Sequence, residues 1–196
     1  IKNNIENKTL IFYTNGLLGS RKSQTYSNFN DFMYNLSYWS SWSNGFNIWK
    51  SEFDKIDKNL KLNKLFPHTS LFLTQHQAKL FCINDNLLFD VQRIPKRGGH
   101  NKFEAFTIEY PSLLDECCKK GHISTKCKKH ILFGIMVQFL PSLLFNKYII
   151  RIETFDDTGF RDNLKKYYPS YAYWLVLISV LGVPFRLFCR KLKNKR

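Results

Sequence analysis

Residues 167–185, YYPSYAYWLVLISVLGVPF, are nineteen positions without a charge, and residues 131–146, ILFGIMVQFLPSLLFN, are sixteen more. At ~1.5 Å per residue, a helix over the longer run approaches the ~30 Å hydrocarbon thickness of a bilayer. Tyr167, Tyr168, Tyr171, Tyr173 and Trp174 cluster at one end, as an aromatic belt would, and Arg186, Arg190, Lys191, Lys193, Lys195 and Arg196 follow the other. Pro169 lies near the start, where a helix tolerates proline, and Pro184 is expected to end or kink the exit. A buried C-terminal helix of a soluble protein is the competing reading; a basic tail directly after the run suits a membrane helix better. The shorter run is extended to Ile150 if Lys147 snorkels. Pro141 predicts a kink in it, and Gln138 calls for a polar partner.

Charge follows the same division. The chain of 196 residues carries a net charge of +15. Residues 1–118 contribute only +3, residues 119–130 (KKGHISTKCKKH) +5, and residues 186–196 +6. A uniformly basic chain would point to nucleic acid. Here most of the excess brackets the uncharged runs, which is a topology signal instead. The expected order is a small domain over 1–118, a basic juxtamembrane segment over 119–130, and a first membrane helix over 131–150. A connecting loop over 151–166, a second membrane helix over 167–187 and a basic tail over 188–196 follow. With two spans the positive-inside rule puts both flanks on one side, the cytoplasm or a mitochondrial matrix. One span remains the alternative.

The fold class expected for the whole is α+β: an N-terminal domain with an antiparallel β-meander and one or two helices, then a transmembrane helix or hairpin. Residues 51–66 read as a helix, with Ser51 capping, Phe53, Ile56 and Leu60 on one face, and Pro67 ending it. Residues 71–74, 79–83, 87–94 and 103–110 read as strands, the last with Phe106, Ile108 and Tyr110 on one face. Asn84-Asp85-Asn86 and Lys96-Arg97-Gly98-Gly99 read as turns between them.

Residues 23–49 hold no Lys or Arg, yet contain Tyr26, Phe29, Phe32, Tyr34, Tyr38, Trp39, Trp42, Phe46 and Trp49. An aromatic core accounts for them; so does a contact surface, with Trp39, Trp42 and Trp49 as the interface residues. Binding to single-stranded nucleic acid needs aromatic and basic groups interleaved, and here they are separate.

Cys118, His122, Cys127 and His130 form C-x3-H-x4-C-x2-H, a donor set able to hold zinc tetrahedrally, although the spacing follows no strong zinc pattern. Cys117 and Cys127 are alternative disulfide partners in an oxidising compartment. Asn7-Lys8-Thr9 and Asn35-Leu36-Ser37 are formal glycosylation sequons, relevant if the first domain is lumenal. No phosphate-binding glycine fingerprint, Walker loop or H-E-x-x-H occurs. Glu104 and Glu109, on a predicted strand, would face opposite sides and make a poor acid/base pair. An enzyme is therefore not expected, and no cofactor other than the zinc alternative is implied.

Lys outnumbers Arg 22 to 8, and Phe, Ile, Asn, Lys and Tyr together make 82 of the 196 residues, the bias of AT-rich codons. The sequence opens at Ile1, which fits a cleaved or truncated product or a non-standard mitochondrial start codon. In composition and first residue the chain resembles the ymf-type proteins encoded in ciliate mitochondrial genomes; no functional motif is shared. That resemblance implies a divergent respiratory complex, ATP synthase or mitochondrial ribosome. The apolar hairpin favours a non-catalytic accessory subunit of an inner-membrane complex, with other subunits and the lipid bilayer as partners. Gly134, Ser142, Ser179 and Gly182 are the expected close contacts between membrane helices. The alternatives are a single-pass receptor or adhesion protein of an endomembrane or plasma membrane, and a mitochondrial ribosomal protein.

Overall fold

Phe81, Cys82 and Ile83 are buried in succession, which marks their strand as covered on both faces. The computed structural model, describing residues 8–43, 45–89 and 101–194, places this strand, β3 (Phe81–Asn84), at the centre of a three-stranded sheet. β1 (Leu10–Tyr13) pairs parallel to it with Leu10 opposite Phe81, and β2 (Ser23–Tyr26) pairs antiparallel with Tyr26 opposite Phe81. The chain is thus mixed α+β and mostly helical. The sheet order β1-β3-β2, with one parallel pair, replaces the expected antiparallel meander. A parallel pair cannot be joined by a tight turn. The long connection from β1 to its parallel partner β3 carries β2 and then α1 (Phe29–Leu36), α2 (Lys50–Phe53) and α3 (Pro67–Leu73).

Several expected elements change identity, each for a local reason. The helix over 51–66 stops at Phe53. Beyond it Asp57 accepts from the Asn59 N–H, and Asn63 from those of Leu65 and Phe66. Such short polar side chains compete with the helix for backbone donors. Pro67 then opens α3 instead of closing a helix, since its missing N–H costs nothing in a first turn. The expected strand over 71–74 lies in α3 and the 3-10 turn after it. Residues 87–89 form no strand; the rest of that candidate and the Lys96–Gly99 turn lie outside the described residues. Residues 102–119 form one helix, α4, so the strand over 103–110 is helical too. Its buried positions, Phe103, Thr107, Tyr110 and Leu114, recur at helical spacing, and Asn101 caps it through the Glu104 N–H.

The chain divides into two compact units, Ile1–Val91 with Leu113–His130, and Gln92–Ser112 with Ile131–Arg196. The limits of the units at 112/113 and 130/131 fall within α4 and within α5 (Thr125–Ile149). The first unit is built on phenylalanine: Phe12, Phe29, Phe32, Phe72 and Phe81 pack with ring centroids 5.1–6.0 Å apart. Gly45 lies against this cluster, where a Cβ would come 2.2 Å from the fully buried Phe12 ring. Gly45→Ala should therefore destabilise the protein by about 1–3 kcal/mol, read as a lower denaturation midpoint; an unchanged midpoint would refute the steric account.

In the second unit α6 (Phe160–Tyr167) occupies part of the expected connecting loop, and α7 (Ala172–Val180) packs on the 135–144 stretch of α5. α8 (Val183–Asn194) carries helix through most of the expected tail.

Candidate membrane interface

α5 runs 25 residues without interruption. Its apolar part from Ile131 to Ile149 is ~28 Å long at helical rise, close to bilayer thickness. Pro141 does not break it: π-helical turns at Ile135–Phe139 and Phe145–Ile149 absorb the misfit. The second run behaves in the opposite way. It is split at residues 181–182 into α7 and α8, which are bent by 53°. Pro184 sits in the first turn of α8 and so begins a helix instead of ending one. By length and composition the described residues thus contain one helix able to cross a membrane, or two if the bent pair counts as a single span. The shorter run in the sequence is the more continuous helix.

The bent pair carries a stripe of exposed apolar side chains. Tyr171, Trp174, Ile178, Leu181, Phe185 and Phe188 recur at alternating spacings of three and four, which puts them on one side of each helix. They are 59–82% exposed, Leu181 most of all. Ala172, Val176 and Val183 are buried on the other side. Ile149, Ile150 and Ile152, at and just after the end of α5, are exposed as well. Contiguous apolar exposure of this extent in a soluble monomer is unusual and marks a surface meant to be covered.

Three cationic side chains within the second unit are directed at backbone carbonyls or carboxylates. The Arg186 guanidinium donates to the Val137 carbonyl at 3.0 Å and to the Ser179 carbonyl at 3.4 Å. Val137 is the residue whose carbonyl would ordinarily accept from position 141, and Pro141 has no N–H to give. Ser179 lies in the last turn of α7, where carbonyls carry partial negative charge. Lys147 donates to the Phe155 carbonyl at 2.8 Å and pairs with Asp157 at 2.7 Å, so its head is held by the segment after α5. Lys102 pairs with Glu153 at 2.5 Å and lies over the buried Phe155 ring.

The expected zinc donors are not gathered. The Cys118 thiol lies 3.7 Å from the Thr125 hydroxyl, and the Cys127 thiol donates to the Asn30 carbonyl. His122 stacks on His76 at 3.5 Å, and His130 on Tyr34 at 3.9 Å. Burial and the neighbouring His76 lower the His122 pKa, favouring a neutral ring. Among the described residues no three His, Cys, Asp or Glu side chains converge on a metal position. Cys117 and Cys127 are free thiols, and burial pushes Cys117 up to about 11.

Of the expected helix contacts, Gly134 is buried in α5. Ser142 donates to the Gln138 carbonyl within that helix. Ser179 and Gly182 flank the break, and a Cβ on Gly182 would meet Arg186 at ordinary contact distance. Trp39, Trp42 and Trp49 are half-buried; Trp49 donates to the Thr9 carbonyl, and Trp39 packs on Trp42 at 6.2 Å. The aromatic stretch divides, with Phe29 and Phe32 in the core and the tryptophans at its margin. Asn35 is exposed, and Asn7 lies outside the described residues. Glu104 and Glu109 lie on α4.

Two features carry no local signal in the sequence. One is the Arg186 contact. The other is the buried Asp85, whose carboxylate accepts from the Thr14 and Ser20 hydroxyls and from the N–H groups of Leu18, Ser20 and Arg21. Compared with protein families, curated proteins and solved structures, the chain gives no match.

Proposed function

We propose that this protein is a non-catalytic integral membrane subunit, anchored through α5 and the α7–α8 pair and acting in the assembly or stability of a larger complex. The observation that carries this reading is the exposed apolar stripe from Tyr171 to Phe188. Lipid tails or apolar helices of neighbouring subunits would cover it, since an apolar face of this length gains from leaving water. The basic blocks at 119–130 and 186–196 would stay on one side of the membrane, in line with the positive-inside rule. Arg186 supports the reading, because a cation at the edge of an apolar span finds carbonyl partners or snorkels. The setting proposed, a mitochondrial inner-membrane energy-converting complex, rests on the compositional resemblance alone.

The expected result is a protein that stays in the pellet after alkaline carbonate extraction and co-migrates with a large complex on a native gel. Recovery as a soluble monomer would sink the proposal. Co-sedimentation with ribosomes, or a mobility shift on glycosidase treatment, would replace it with one of the alternatives.

A further inference from the structure

The second unit contains a cleft of about 620 Å³ between the end of α5, the start of α6 and α7. Its wall is apolar on one side, formed by Leu144, Phe160, Leu177 and Val180, and its rim is polar, formed by Tyr148, Asp157, Arg161, Asp162 and Tyr173. The charges at the rim are unequally satisfied. Asp157 is paired with Lys147 at 2.7 Å and accepts from the Tyr148 hydroxyl. Asp162 is paired with Lys165 at 2.7 Å. Arg161 lies over the Tyr173 ring, 5.3 Å from its centroid, and has no carboxylate within ion-pair distance among the described residues. Each acid at the rim thus has its own lysine; the guanidinium acts on the neighbouring Asp162 as well but forms no ion pair with it.

We infer that this cleft binds an anionic phospholipid, with Arg161 engaging the phosphate and the Leu144–Leu177–Val180 wall receiving the upper part of an acyl chain. The inference rests on the membrane reading above. A guanidinium fixed by an aromatic face offers forked donors that match phosphate oxygens, and it desolvates at less cost than an ammonium. The residue before α6 is Gly159, which supplies no side-chain cap, and Asp162 lies in the first turn of that helix. The cleft also has the vertical order of a lipid. Tyr173 lies with Tyr171 and Trp174 in the aromatic cluster that a headgroup region favours. Leu177 and Val180 follow it along α7, ~6 Å and ~10 Å further on at helical rise. A soluble phosphate would have no use for that wall, so the occupant is a lipid and not a free anion.

The test uses the full chain purified in detergent after reconstitution in vesicles of equal dioleoyl phosphatidylcholine and dioleoyl phosphatidylglycerol, with co-purifying lipid measured by mass spectrometry. Phosphatidylglycerol should be retained at about one per chain and enriched about tenfold over phosphatidylcholine, roughly the effect of one charge-assisted contact. Arg161→Gln should bring the enrichment close to parity. Val180→Trp, which fills the apolar wall, should lower retention of both lipids. Arg151→Gln, an exposed arginine outside the cleft, should leave the ratio unchanged. Excess glycerol 3-phosphate should not displace the lipid; displacement would overturn the lipid assignment in favour of a phosphate site. Unchanged enrichment in Arg161→Gln would overturn it as well. A carbonate-resistant protein with no enrichment refutes the cleft alone, whereas a carbonate-soluble protein with no lipid refutes the membrane reading beneath it.

Discussion

Replacing Asp85 with alanine should destabilise the first unit by about 1–3 kcal/mol, a sizeable share of the ~5–15 kcal/mol that holds a domain folded. The carboxylate is fully buried and gathers five donors from the 14–21 loop, with the Thr14 hydroxyl at 2.6 Å. Thr14 is itself fully buried, so alanine strands its hydroxyl, and the N–H groups of Leu18, Ser20 and Arg21 lose their acceptor. Asp85→Asn should fall between wild type and alanine, because its NH2 meets donors where the carboxylate accepted. Burial alone would raise the Asp85 pKa. The Thr14 hydroxyl, the Arg21 and Leu18 N–H groups and the Ser20 hydroxyl outweigh that and hold it below the ordinary carboxylate value. A carboxylate depressed in the folded state contributes fully above the unfolded pKa of ~3.9 and loses that contribution as pH falls through the lower folded value. Denaturation midpoints of wild type should therefore drop steeply below about pH 4, and those of Asp85→Ala should drop less. Equal midpoints for the two proteins at pH 7 would remove Asp85 from any structural role.

Why Asp85 was invisible is a matter of distance along the chain. Its donors lie 64–71 residues earlier, and Asn84-Asp85-Asn86 alone reads only as a turn. β1 was hidden for the same reason, since four residues become a strand only by pairing with β3 some seventy positions later. The reverse error, strand for helix at 103–110, arose because Phe106, Ile108 and Tyr110 alternate. The periodicity of Phe103, Thr107, Tyr110 and Leu114 is the one that burial follows. Asn101, its cap, was a usable signal.

The uncharged runs were legible because exclusion of charge is a property of composition and needs no partner. Their continuity was not. Proline is a break in propensity terms, yet Pro141 is carried inside α5 by π turns, while Leu181-Gly182 separates α7 from α8. Propensity describes a chain in isolation; here the Val137 carbonyl is supplied by Arg186 from 49 residues away. The tetrad Cys118, His122, Cys127 and His130 shows the same limit from the side of chemistry. Spacing brought the four close in sequence, but Asn30, Tyr34 and His76 draw three of them to different neighbours.

The stripe permits the most direct test of what those runs do. The double variant Ile178→Lys/Leu181→Lys places two ammonium groups on adjacent exposed positions near the middle of the stripe, 64% and 82% accessible, without touching the buried Ala172, Val176 and Val183. If the face meets lipid, each lysine near the middle of the span costs about 2.5–3.5 kcal/mol on insertion scales, enough together to prevent stable integration of the α7–α8 pair. The protein should then shift from the carbonate pellet to the supernatant, or show the 186–196 tail accessible to protease from the opposite side. If the face instead packs against water, two lysines at exposed positions change stability by no more than about 0.5 kcal/mol and leave fractionation untouched. The two outcomes differ by an order of magnitude in energy. The double variant Ile178→Leu/Leu181→Ile controls for the substitution itself, since it keeps the face apolar and should keep the protein in the pellet. Lysines at the exposed Asn35 and Asn59, outside the apolar runs, should also be tolerated, because the effect belongs to the stripe and not to added positive charge.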